Sequence, residues 1–89
     1  MSIPVATSKI AQLTSDVEDL SSQVAIEEGR HAIVLAKGDA AGIKVTASRM
    51  ARLKATIAFF KDCIAFWQDV IKSTLALLKS FNELAQSSR

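Results

Sequence analysis

Eighty-nine residues, 49% of them hydrophobic and 22% charged, describe one small domain. A chain this short buries only about 60% of its unfolded surface and is marginally stable alone. Three glycines and one proline leave few turns, which argues against a multi-stranded fold, and a net charge of +2 names no polyanionic partner.

Met1-Ser2 reads as a natural start, and residues 1–7 as a short lead in which Pro4 is tolerated at or before a first helical turn. Thr7 or Ser8 is a suitable cap, since a hydroxyl there accepts an orphan backbone N–H. The spacing then predicts a helix over about 8–36. Its seam is Ile10, Leu13, Val17, Leu20 and Val24 at alternating steps of three and four. Glu27 and His31 take the next two seam positions before Val34, so the far end of the seam is polar. Gly29 lies in the same stretch at a helix cost of about 1 kcal/mol relative to alanine, and predicts a kink or a frayed turn.

Residues 37–42, Lys-Gly-Asp-Ala-Ala-Gly, are the one clear punctuation. Gly38 suits the left-handed conformation that ends a helix, with Lys37 favourable at its negative end. A second helix follows over about 43–86, with Asp39, Thr46 and Ser48 all available as caps, and residues 86–89 form a frayed tail. This helix carries two apolar seams. The first is Met50, Leu53, Ile57, Phe60, Ile64, Trp67, Ile71, Leu78, Phe81 and Ala85, broken only by Thr74. The second is Phe59, Cys63, Phe66, Val70, Leu77 and Leu84. No uncharged apolar run reaches the ~18 residues of a spanning helix, and no basic, apolar leader marks a signal peptide. These features predict a soluble chain and leave its compartment open.

So short a turn makes the helices antiparallel neighbours in an all-α helical hairpin. Folding back near residue 40 sets position i near about 80 − i. Leu20 then falls near Phe60, Val24 near Ile57, Val17 near Ile64 and Leu13 near Trp67, with Ile3 and Val5 near Leu77 and Leu75. The charges agree with this arrangement. Residues 1–36 carry Lys9 and Arg30 against Asp16, Glu18, Asp19, Glu27 and Glu28. Residues 43–89 carry eight basic side chains against Asp62, Asp69 and Glu83. An acidic helix facing a basic one explains the split, with Glu28 near Arg52 and Asp19 near Lys61.

Chemistry is sparse. His31 and Glu27 are four apart on one face, but a helical metal site needs further carboxylates at matched spacing, and none is present. The pair reads as a polar seam end closed by Arg49 or Arg52. Cys63 permits no internal disulfide and reads as a small buried hydrophobe, about 20 Å along the axis from His31. With no nucleophile–base set, phosphate loop or CxxC, the expectation is a non-enzyme without cofactor or metal. Arg49 and Arg52, a turn apart, read first as a solvated face and second as a contact for anions; nucleic acid is the weakest partner.

The run Phe59-Phe60-Lys61-Asp62-Cys63-Ile64-Ala65-Phe66-Trp67-Gln68-Asp69-Val70-Ile71, followed by Leu75, Leu77 and Leu78, resembles the long aromatic-bearing helix of α-helical pore-forming toxins of the haemolysin BL and cytolysin A type. The resemblance spans residues 50–85. It implies a body built of long amphipathic helices and action on membranes, with this chain a reduced relative or a tail-bundle fragment. Such toxins are several times longer and insert a strongly apolar hairpin. Here the nearest equivalent, residues 32–36 and 41–43, is short and carries Lys37 and Asp39 close by.

One helix covers one seam, so the second seam is expected to dock another helix. Six open positions forfeit about 10 kcal/mol of burial, comparable to the whole stability of a small domain. The expected partner is a second copy, completing a four-helix bundle, or another helical protein. A membrane surface is the alternative.

Overall fold

The computed structural model describes residues 3–87. The start at Met1-Ser2 and the last two residues of the expected tail, Ser88 and Arg89, lie outside the described residues. Two helices make an all-α hairpin: α1, Ile3–Lys37, and α2, Ala40–Ser87. The rod measures 77 × 15 × 15 Å, and its radius of gyration is 21.3 Å. A compact domain of this length would have a radius of gyration near 12 Å.

Helix α1 begins at Ile3 rather than near residue 8. Pro4 fits in this first turn, where backbone N–H groups have no intrahelical acceptor to lose. Thr7 is therefore not a cap. Its Oγ1 donates to the Ile3 carbonyl within the helix. Helix α1 also runs unbroken through Gly29. At the other end of the chain, Gln86 and Ser87 continue α2 instead of fraying.

The turn is shorter than the six residues expected. Gly38 takes the left-handed conformation, φ 68°. Its N–H donates to the Leu35 carbonyl and the Asp39 N–H to the Val34 carbonyl, both at 3.1 Å, the pairing that satisfies the last carbonyls of a helix ending in glycine. Asp39 then caps α2. Its side chain accepts the Gly42 N–H at 3.0 Å while its carbonyl accepts the Ile43 N–H, the first bond of the new helix. Neither Thr46 nor Ser48 starts the helix, because Asp39 already supplies an acceptor three residues upstream of Gly42.

Shortening the turn shifts the pairing of the helices. His31 meets Thr46 and Glu27 approaches Arg49, so position i of α1 faces about 77 − i of α2 rather than 80 − i. Leu20 is level with Ile57, Val24 with Leu53, Val17 with Phe60 and Leu13 with Ile64. The same seam residues meet, one layer displaced. The shift also extends the α2 seam back to Ile43 and Thr46, ahead of Met50.

The displacement leaves about 20 Å of α2 beyond Thr74 with no opposing helix. Leu78 and Phe81, placed on the covered seam by their spacing, are 50% and 58% exposed. Leu75, Leu77 and Val5 are exposed too, so the N-terminal stretch does not shield them. Between the helices the core is thin. Ala6 and Val24 are its buried apolar residues, the remaining seam residues are half-buried, and no large side chain among the described residues is fully enclosed.

The turn predicts its own test. Gly38→Ala forces a β-carbon into a left-handed conformation, and Asp39→Ala removes the cap. Each should lower stability by about 1 kcal/mol in urea unfolding followed by circular dichroism.

Candidate functional site

Near the turn, the helix seam is polar rather than apolar. Thr46 is buried, and its hydroxyl donates to the Gly42 carbonyl at 2.9 Å, the usual outlet for a threonine inside a helix. His31 Nδ1 lies 2.6 Å from the same oxygen. This contact between the imidazole and the Thr46 hydroxyl joins the two helices across the seam, the tautomer setting which of the two donates. One layer further, Glu27 is only 6% exposed. Its Oε1 accepts from Arg30 at 2.7 Å and faces Arg49 at 3.9 Å, while Oε2 is enclosed without a hydrogen-bond partner. Arg49 thus closes the seam end. Glu28 with Arg52 and Asp19 with Lys61 form no ion pair, because the shifted register and their outward positions leave all four exposed. The opposite charges of the two helices therefore remain largely undischarged within the chain.

The polar layer and Cys63 are far apart. Cys63 is seventeen residues past Thr46 on α2, about 25 Å from His31 along the axis. Among the described residues, no three His, Cys, Asp or Glu side chains gather where they could share a metal ion. A buried, incompletely satisfied carboxylate in an otherwise apolar seam costs stability, and its approach to Arg49 favours this alignment: a slide of one layer would move Glu27 from the level of Met50 to that of Leu53 or Thr46, farther from Arg49.

The second seam of α2 is a separate feature. Phe59 is 64% exposed and Phe66 57%, and Leu77 and Leu84 are exposed as well. Cys63 and Val70 are half-buried, being closer to the α1 side of the stripe, so Cys63 is not the fully buried hydrophobe its spacing indicated. Each aromatic of this stripe leans on a neighbour from the covered seam. Phe66 and Trp67 stack edge to face with centroids 5.4 Å apart, and Phe59 and Phe60 are tilted at 6.1 Å. Phe60 and Trp67 are half-buried between the helices, so they anchor the exposed rings from beneath. Continued toward the turn at the same spacing, the stripe runs through Thr56, Arg52 and Arg49. These residues border open grooves whose other wall is the α1 flank of Asp16, Asp19 and Gln23, and Ile26 and Arg30 continue that flank beside Leu53. The open side of the hairpin is therefore apolar along α2 from Phe59 to Val70 and basic nearer the turn, while along α1 it is polar at Asp16, Asp19 and Gln23 and apolar at Ile26.

Spacing alone located the second seam and the polar character of Glu27 and His31. It missed Thr46, whose place opposite His31 depends on where α2 begins, and it missed the α2 overhang, which depends on the length of the turn. No helix among the described residues is long and apolar enough to cross a membrane. Compared with protein-family models, curated proteins and solved structures, the chain matches none.

The polar layer makes a prediction. Glu27→Leu should raise stability by about 1 kcal/mol in urea unfolding, since it replaces a poorly satisfied buried carboxylate and leaves Arg30 and Arg49 free to stay in water.

Proposed function

We propose that this protein is a non-enzymatic helical interaction module that docks helical partners, its own copy first, through the second seam of α2. One observation carries the reading: Phe59, Cys63, Phe66 and Val70 continue a strict helix seam that α1 covers only along its Cys63 and Val70 edge, leaving Phe59 and Phe66 exposed. The accessible surface is 6496 Å². A compact monomer of this mass would expose about 5,100 Å², so roughly 1,400 Å² is in excess. A standard protein interface removes about 800 Å² from each partner, which the excess is large enough to supply. The rings are held in place by Phe60 and Trp67, so docking orders little that is not already ordered.

A second reading, a membrane-active amphipathic protein of the pore-forming-toxin type, is supported by exposed Arg49 and Arg52 standing in line with exposed Phe59 and Phe66. Basic residues and aromatic rings on one stripe suit an anionic bilayer surface.

Sedimentation equilibrium over a range of concentrations separates the two. Docking through the seam predicts an oligomer without lipid, and Phe66→Asp should weaken it by at least about 2 kcal/mol while circular dichroism still reports helix. An oligomer unchanged by Phe66→Asp removes the first reading. Failure to float with anionic vesicles removes the second.

A further inference from the structure

We propose that two copies pair α2 against α2, antiparallel, about a two-fold axis passing between Cys63 and Phe66. This rests on the self-docking described above and gives it a geometry.

The orientation follows from the charge along the stripe. Arg49 and Arg52 occupy its turn end, and Glu83 lies near its other end. Parallel pairing would stack each arginine on its own copy in the partner. Antiparallel pairing instead brings Arg49 level with the partner's Ser80, about one turn from the partner's Glu83, and Arg52 level with the partner's Leu77, so no arginine meets its own copy.

Two independent features then select the same register. Antiparallel seams of alternating three and four mesh only at steps of one heptad. One of these registers sets Phe59 on the partner's Val70, Cys63 on the partner's Phe66, and Thr56 on the partner's Ser73, so that over the central part of the stripe apolar meets apolar and hydroxyl meets hydroxyl. The two-fold also brings the two α1 helices side by side through the flank that borders the open grooves. Asp16 lines that flank, and Lys9 precedes it by one heptad on the same face. With the hairpin register given by His31 and Thr46, Lys9 becomes level with the partner's Asp16 and Asp16 with the partner's Lys9. A slip of one heptad either way would place lysine on lysine or aspartate on aspartate.

The overhang is accounted for by the same placement. Leu78 comes level with the partner's Ile26, and Ala85 with the partner's Ile33. In the single hairpin Ile26, Ile33 and Leu78 are all at least half exposed; Ile26 lines the α1 flank that the two-fold turns inward, and Ile33 follows it by one heptad. One symmetry operation thus closes the aromatic stripe, the uncovered end of α2 and the two isoleucines of α1, and it matches the charges on α1. A closed, isologous dimer results.

The test uses the full chain in sedimentation equilibrium. Lys9→Glu and Asp16→Lys each convert two attractions per dimer into repulsions, and each should weaken association about tenfold; the doubly reversed chain should regain wild-type affinity. Asp62 falls near the partner's Asp69 on the outer edge, so Asp62→Lys should tighten association about threefold or more. The two Cys63 residues come within about 10 Å, so a short bis-maleimide should join two wild-type chains. If the wild type associates but the double reversal fails to rescue, or Cys63 is not bridged in the associated form, this geometry is overturned and self-docking survives. If the wild type remains a monomer at every concentration, self-docking and this geometry fall together.

Discussion

The two residues between the helices set the phase of everything else in the hairpin. Gly38 ends α1 by satisfying its last carbonyls, and Asp39 starts α2 by accepting the Gly42 N–H, so neither helix has slack at the turn. A turn this tight converts the lengths of the helices directly into register. It brings His31 to Thr46 and Glu27 toward Arg49, and it leaves the C-terminal turns of α2 standing past the start of α1. Gly42 belongs to the same constraint. A β-carbon there would lie 2.8 Å from Val34 Cγ1 and 2.6 Å from Asp39 Oδ2, so the helices leave no room for a side chain at this position beside the turn.

Two helices alone cannot make a dry core. Each seam residue is covered from one direction, and most of the seam is half-buried as a consequence. The hydrophobic effect scales with the area removed from water, so a two-helix rod gains little per residue against the entropy of ordering its backbone. The exposed rings of Phe59 and Phe66, supported by Phe60 and Trp67, are the part of the surface from which further burial is available. Stability and association are in this sense one problem: the contacts missing from the isolated hairpin are those that a neighbouring helix supplies.

The polar layer works in the opposite direction. Glu27 sits almost completely enclosed with one oxygen unsatisfied, and His31 and Thr46 occupy a layer that leucine would fill more favourably. What they contribute is alignment, because hydrogen bonds between helices have one good register whereas apolar seams tolerate several. This restraint lies beside the turn, and the exposed aromatic stripe lies at the middle of the rod. Holding one end in register fixes which residues of α1 border the stripe along its whole length.

The amino-acid sequence by itself determined the helical class, the place of the chain reversal, the two seams of α2 and the polar end of the α1 seam, because each of these is a matter of spacing within one helix. Spacing set the seam of Leu13, Val17, Leu20 and Val24 against the seam that includes Leu53, Ile57, Phe60, Ile64 and Trp67. Which residue met which was decided by the tertiary structure alone, since a seam of alternating threes and fours fits its partner at every heptad. Only the caps at Gly38 and Asp39, seen together, removed that freedom. The burial of Glu27, the contact of His31 with Thr46 and the exposure of Leu78 and Phe81 all follow from register. They are relations between two helices, and the periodicity of either helix read alone carries no information about them.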